Sequence, residues 1–164
     1  MPDAAHQKLI EKVLAWAKGQ LAFRDRIEFT VFTIDEQQRE ETAAADPACF
    51  TGDNGRERLA RNMRKQFRKS GIVRYAIIAE CWLTRPAMPA GPLRNREIGR
   101  DSDGREEVII VHVCDRRSAS IHISTILRDP RTGEATGLRE FATTDDKESL
   151  LAGRFTNLLE GRIH

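Results

Sequence analysis

The sequence predicts an α+β domain, an antiparallel sheet of four to five strands with three helices packed mainly on one face. Three observations carry that expectation. Apolar residues recur at helical spacing in three segments, one near each terminus and one in the middle. In the second half, runs rich in β-branched and aromatic residues follow one another, most with only short turns between them, as in an antiparallel meander. Strands and helices are also segregated along the chain. No glycine-rich phosphate loop, strand–helix alternation or internal repeat points to a dinucleotide-binding or solenoid fold.

The elements follow in order. Leu9, Ile10, Val13, Leu14, Ala17 and Leu21 form one helical stripe over about 4–21. RIEFTVFTID, Arg26 to Asp35, alternates and reads as a strand. Gln37 to Gly52 is ambiguous: QQREETAAA suits a helical turn, which Asp46-Pro47 would end. Asn54 with Glu57 makes a capping pair for a helix over about 55–70, and Gly71 stands where a left-handed C-terminal residue belongs. Ile72 to Thr84 is the longest strand. The segment 85–105, with three prolines and three glycines, is a loop of a length that is uncommon inside a compact domain. Two strands follow, Glu106 to Cys114 and Ala119 to Arg128, then a turn at Asp129-Pro130-Arg131-Thr132-Gly133 and a short edge strand, Gly137 to Thr143. Asp145 and Glu148 cap a last helix with a stripe of Leu150, Leu151, Phe155, Leu158 and Leu159.

With 164 residues the chain suits one domain, 1–164, burying roughly two-thirds of its unfolded surface. Apolar residues make up 40% and charged residues 32%, a globular balance. No apolar run approaches the roughly 20 residues of a membrane span, so no membrane association is expected. The N-terminal stretch has neither the apolar block nor the cleavage site of a signal peptide. Cys49, Cys81 and Cys114 are odd in number and lack CxxC spacing, which suggests neither a disulfide framework nor a zinc ribbon. A cytoplasmic protein with reduced thiols is the expectation. Arginine outnumbers lysine 21 to 6, as in proteins of GC-rich genomes.

Net charge is only +2, but it is segregated. Asp35 to Asp53 is acidic and Arg56 to Arg74 strongly basic. On the helix at 55–70, Leu59, Ala60, Met63 and Phe67 form the apolar stripe. Arg58, Arg61, Arg64, Lys65, Arg68 and Lys69 occupy the opposite arc, about 140° wide at 3.6 residues per turn. Such a face suits nucleic-acid phosphates, with affinity that falls steeply with salt. The alternative is a solvated face, screened by the acidic segment if that folds nearby.

The stretch VIIVHVCDRRSASIHIS raises a second question. Matching apolar parity across the two strands pairs Cys114 with Ser120 and sets His112 opposite His122, within about 4.5–5.5 Å between Cβ atoms. A two-residue Arg116-Arg117 turn would shift the register and separate them. If Glu80 of the preceding strand joins that face, two imidazoles and a carboxylate make a divalent-metal set with an open position for water. Without a signature such as HExxH, the sequence favours a solvated or partner-covered surface. No cofactor beyond that divalent ion is suggested.

Glu80-Cys81-Trp82, the proline-bearing loop and Gly104-Arg105-Glu106-Glu107-Val108-Ile109 followed by Asp115-Arg116 resemble bacterial and phage-associated proteins of unknown function. In those proteins an E-x-W strand precedes a Pro-rich loop and a D-R-x-E strand. The resemblance spans about Tyr75 to Arg128, departs at Asp103-Gly104, and implies no activity. The leading functional expectation is a non-enzymatic cytoplasmic accessory or protein-interaction domain, with self-association as one form of it. Nucleic-acid binding through the basic helix is second, and metal-dependent chemistry at Glu80, His112 and His122 is third.

Overall fold

The computed structural model describes residues 3–45, 52–83, 106–145 and 158–159. Asp3 starts the first helix, its carboxylate accepting the backbone N–H of His6 at 2.7 Å. Helix α1 (Ala4–Arg24) buries Leu9, Ile10, Val13, Ala17 and Leu21, the stripe its spacing predicts, plus His6. It ends at Asp25, which takes a left-handed φ of 60° and donates its N–H to Leu21 O. Next come β1 (Thr30–Asp35), β2 (Glu40–Ala44), α2 (Gly52–Ser70), β3 (Ile72–Leu83), β4 (Glu106–Asp115), β5 (Ala119–Arg128) and β6 (Ala135–Asp145).

All neighbouring strands are antiparallel, in the order β2-β1-β3-β4-β5-β6. Register shifts at Ile34/Asp35 in β1 and at Ile123/Ser124 and Leu127/Arg128 in β5 accompany the curl of the sheet. One core lies under α1, where its stripe meets Phe32, Ile34, Ala76, Ile78, Ile109, Val111, Val113 and Ile126. The other lies under α2, where Ala60, Met63 and Phe67 meet Val31, Tyr75, Ile77 and Cys114. Adjacent residues of β1 and β3 thus feed opposite cores, as the two-residue strand period requires.

The expected four to five strands and three helices mainly on one face need correction. The sheet has six strands, and the two helices among the described residues cover opposite faces. The added strand is β2, in the segment that suited a helical turn. Asp35 makes the difference: its Oδ1 accepts the N–H groups of Gln37 and Arg39, both at 2.9 Å. Gln38 adopts a left-handed φ of 62°, and the chain doubles back at once. Pairing with β1 then outweighs the helical preference of EETAA, four of whose five residues are good helix formers. The last strand is longer than expected, Ala135–Asp145. The loop at 85–105 and the helix expected after Asp145 lie outside the described residues, except for Leu158 and Leu159, buried in the α2-side core.

Candidate functional site

Glu80, His112 and His122 do not come together. The register pairs His112 with Ile121 and His122 with Val111, so the imidazoles project from opposite faces. The cause is the turn between β4 and β5. Asp115 Oδ1 accepts the N–H groups of both Arg117 and Ser118 at 2.7 Å, which sets Cys114 opposite Ala119 rather than Ser120. Apolar parity misled because both faces of β4 are buried, so its odd and even residues are nearly equally apolar. Glu80 shares His122's face but lies in another cross-strand row, beside Ile109 and Ser124. Among the described residues, no three His, Cys, Asp or Glu side chains are grouped to hold a metal.

Glu80 belongs instead to an ion cluster at the C-terminal end of α1. Its Oε2 accepts the N–H of Ile27 at 2.9 Å. Burial pushes its carboxyl above the usual range; the Ile27 N–H offsets part of this, and hydrogen bonding and repulsion from Glu107 add to it. Arg128 grips Glu107 with two bonds of 2.6 Å and reaches Asp25 Oδ1 at 2.6 Å and Gly133 O at 2.9 Å.

A second cluster closes the N-terminal end. His6, fully buried, meets Ser120 Oγ through Nε2 at 2.8 Å, and Ser120 Oγ lies 2.9 Å from His122 Nε2. On its other side His6 Nδ1 faces Asp115 Oδ2 at 3.5 Å. Burial raises the Asp115 carboxyl, but donation from Arg117 N–H and Ser118 N–H and O–H outweighs it and holds the group below its usual range. Burial lowers the His6 pKa more than Asp115 restores it. Neutral His6 with its proton on Nδ1 therefore donates to Asp115 and accepts from Ser120. The order Asp–His–Ser is the chemistry of an activated hydroxyl, but Ser120 is 2% exposed and cannot meet a substrate in this arrangement. His6 stands three residues before Leu9 and four before Ile10, and that helical spacing is the signal the sequence carries for its burial.

Cys114 and His112 also meet, Sγ to Nε2 at 3.1 Å, with the His112 ring edge-on to Tyr75 at 6.3 Å. Residues two apart on a strand share a face, which brings the two side chains together. Cys114 is fully buried.

The outer face of α2 is open. Arg58, Arg61, Lys65, Arg68 and Lys69 are exposed, and Arg64 is half-exposed with its guanidinium 4.0 Å from Glu57. At the turn after β4, Arg116 and Arg117 are exposed too, and Arg68 and Arg116 line one small hollow with Glu36 and Gly71. The cationic surface thus continues from the helix to the turn. Two carboxylates of the acidic segment are engaged elsewhere, Asp35 with Arg39 at 2.6 Å and Glu40 with Lys12.

These features define an α+β protein on a six-stranded antiparallel sheet, with a cationic helix facing solvent. No family model, curated protein or solved structure matches the chain. No described helix is long and apolar enough to cross a membrane.

Proposed function

We propose that this is a non-enzymatic, cytoplasmic accessory protein that binds nucleic acid along the outer face of α2. The observation that supports the reading most is the projection of Arg58, Arg61, Arg64, Lys65, Arg68 and Lys69 from one helix face, extended by Arg116 and Arg117. The helix keeps its apolar stripe on the sheet, so the cations are presented on a supported surface. Phosphates are the ligand that such a row of guanidinium groups matches, because each releases condensed counterions as it is neutralised. Contacts of this kind position a nucleic acid without reading its bases.

A mobility-shift titration with duplex and single-stranded oligonucleotides across salt tests it. If six cations engage phosphates on a duplex, log K falls against log salt with a slope near −5, from about 0.9 per contact. No shift at low ionic strength overturns the reading. His6, Ser120 and His122 turn polar atoms towards one another under α1, and Ser120 is 2% exposed, which supports a structural role for them beside a binding face on α2.

A further inference from the structure

On the opposite flank of α2 a groove of about 320 Å³ separates the helix from β2. Its walls are Phe29, Val31, Leu59, Met63 and Phe67, and among the described residues Glu41 is the ionisable one that lines it. The lining also includes Thr42 and Ala44. Their side chains lie on the α1 face, because Thr42 pairs with Phe32 and Ala44 with Thr30, so the groove meets β2 along its backbone.

Among the described residues, no strand pairs with that backbone on its outer side. Ala45 N–H donates to Phe29 O at 2.9 Å and Asp35 N–H to Arg39 O at 3.1 Å, so the odd residues of β2 bond to β1. Glu40, Thr42 and Ala44 therefore turn N–H and C=O groups away from β1, at the end of the strand order. All of β2 is exposed. An unpaired strand edge beside a helix, with an apolar groove between, is the geometry that accepts an extended peptide.

We propose that this edge is a peptide-docking site, where an extended segment of another protein adds to the sheet beside β2. Alternation defines its chemistry. A lysine or arginine sits opposite Glu41, and two positions along a large apolar side chain sits opposite Ala43 and enters the groove towards Met63 and Phe67. Glu41 and Ala43 share the α2 face because their β1 partners are Thr33 and Val31. Glu40, on the other face, is held by Lys12 and does not select. A second copy fits worse. In an antiparallel β2 pair centred on Thr42, each Glu41 would lie across from the other copy's Ala43, where the groove takes an apolar group.

The test is fluorescence anisotropy with the labelled peptide Ser-Thr-Leu-Thr-Lys-Thr-Ser, whose order sets Leu across from Ala43 and Lys across from Glu41 when it runs antiparallel to β2 as the other strand pairs do, on the full chain. Saturable binding is expected, at least tenfold weaker when the peptide lysine becomes glutamate, and regained by that peptide on a Glu41→Lys protein. N-methylating the peptide amides that face β2 weakens binding at least tenfold, whereas methylating the alternate amides does not. Thr42→Pro removes one outward N–H without touching the β1 ladder and acts likewise; the N-methyl pair gives the same information if that variant fails to fold. No saturable binding to millimolar concentration, or equal binding of the two N-methyl peptides, overturns the proposal. So does a dimer, by light scattering, that Thr42→Pro dissolves, since the edge then serves a second copy.

Discussion

Between α1 and the sheet, polar groups join in two linked sets, Asp115–His6–Ser120–His122 at one end and Glu80–Glu107–Arg128, reaching the exposed Asp25, at the other. Between α2 and the sheet the contact is apolar, and a groove remains beside β2. The first helix is fastened; the second rests on an apolar seam and presents charge outward. Closed polar networks fix register and position, because a buried donor or acceptor left without a partner costs about 1–3 kcal/mol. An open groove and a cationic face have no such internal use. The difference directs functional attention to α2.

Breaking the fastened side has the largest expected effect. Arg128→Met leaves Glu107, which is 5% exposed, without its bidentate partner, and destabilises the fold by about 3–5 kcal/mol in urea unfolding near neutral pH. Adding Glu107→Gln to Arg128→Met recovers most of the loss; no recovery would show that packing of the arginine stem, not charge, is what matters there.

Apolar truncations give the next contrast. Ile78→Ala, fully buried under α1, costs about 3 kcal/mol. Met63→Ala, buried but lining the groove, costs about 2 kcal/mol, the low end for such truncations, since its loss enlarges a space already open to solvent. Equal losses would mean that the groove is closed in solution.

The pH dependence of stability separates the two ends of α1. His6 is depressed below its usual 6.5, so the unfolded chain binds more protons in that window. Its contribution is complete above about pH 6.5 and is lost as pH falls towards the folded value. Glu80 is raised above 4.5, so the folded state holds the extra proton. Its contribution is present at acid pH and is lost as pH rises through that folded value. His6→Gln flattens stability below pH 6.5, and Glu80→Gln flattens it above pH 4.5; thermal melts across pH read both slopes.

How much of this was legible follows from what each element's local chemistry can decide alone. The stripes of α1 and α2 and the bounds of β5 follow from spacing, and the basic arc of α2 from the same wheel. β2 is hidden because EETAA is made mostly of good helix formers, and it is the turn at Asp35 and Gln38 that commits it to a strand. The facing of His112 and His122 is hidden for a different reason. Parity arguments need one face to be polar, and β4 is buried on both. The signal that settles the register was present in Asp115-Arg116-Arg117-Ser118, where an aspartate can cap its own turn. Glu80's true partners, Glu107 and Arg128, are distant in sequence and no spacing announces them.

The smallest effect on stability falls on α2, and it is the most informative about function. Arg58, Arg61 and Lys65 are exposed cations on the helix face away from the sheet, so changing each to alanine shifts unfolding by about 0.5 kcal/mol or less. Each change nevertheless reduces the salt dependence of nucleic-acid binding by about one contact. Triple replacement therefore leaves the melt nearly unchanged while the slope drops by close to three. Ile78→Ala has the converse profile, with a large loss of stability and an unchanged slope at temperatures where the variant is folded. If the triple variant binds with the parent's slope, the phosphates are met elsewhere, and the turn cations Arg116 and Arg117 become the next place to cut.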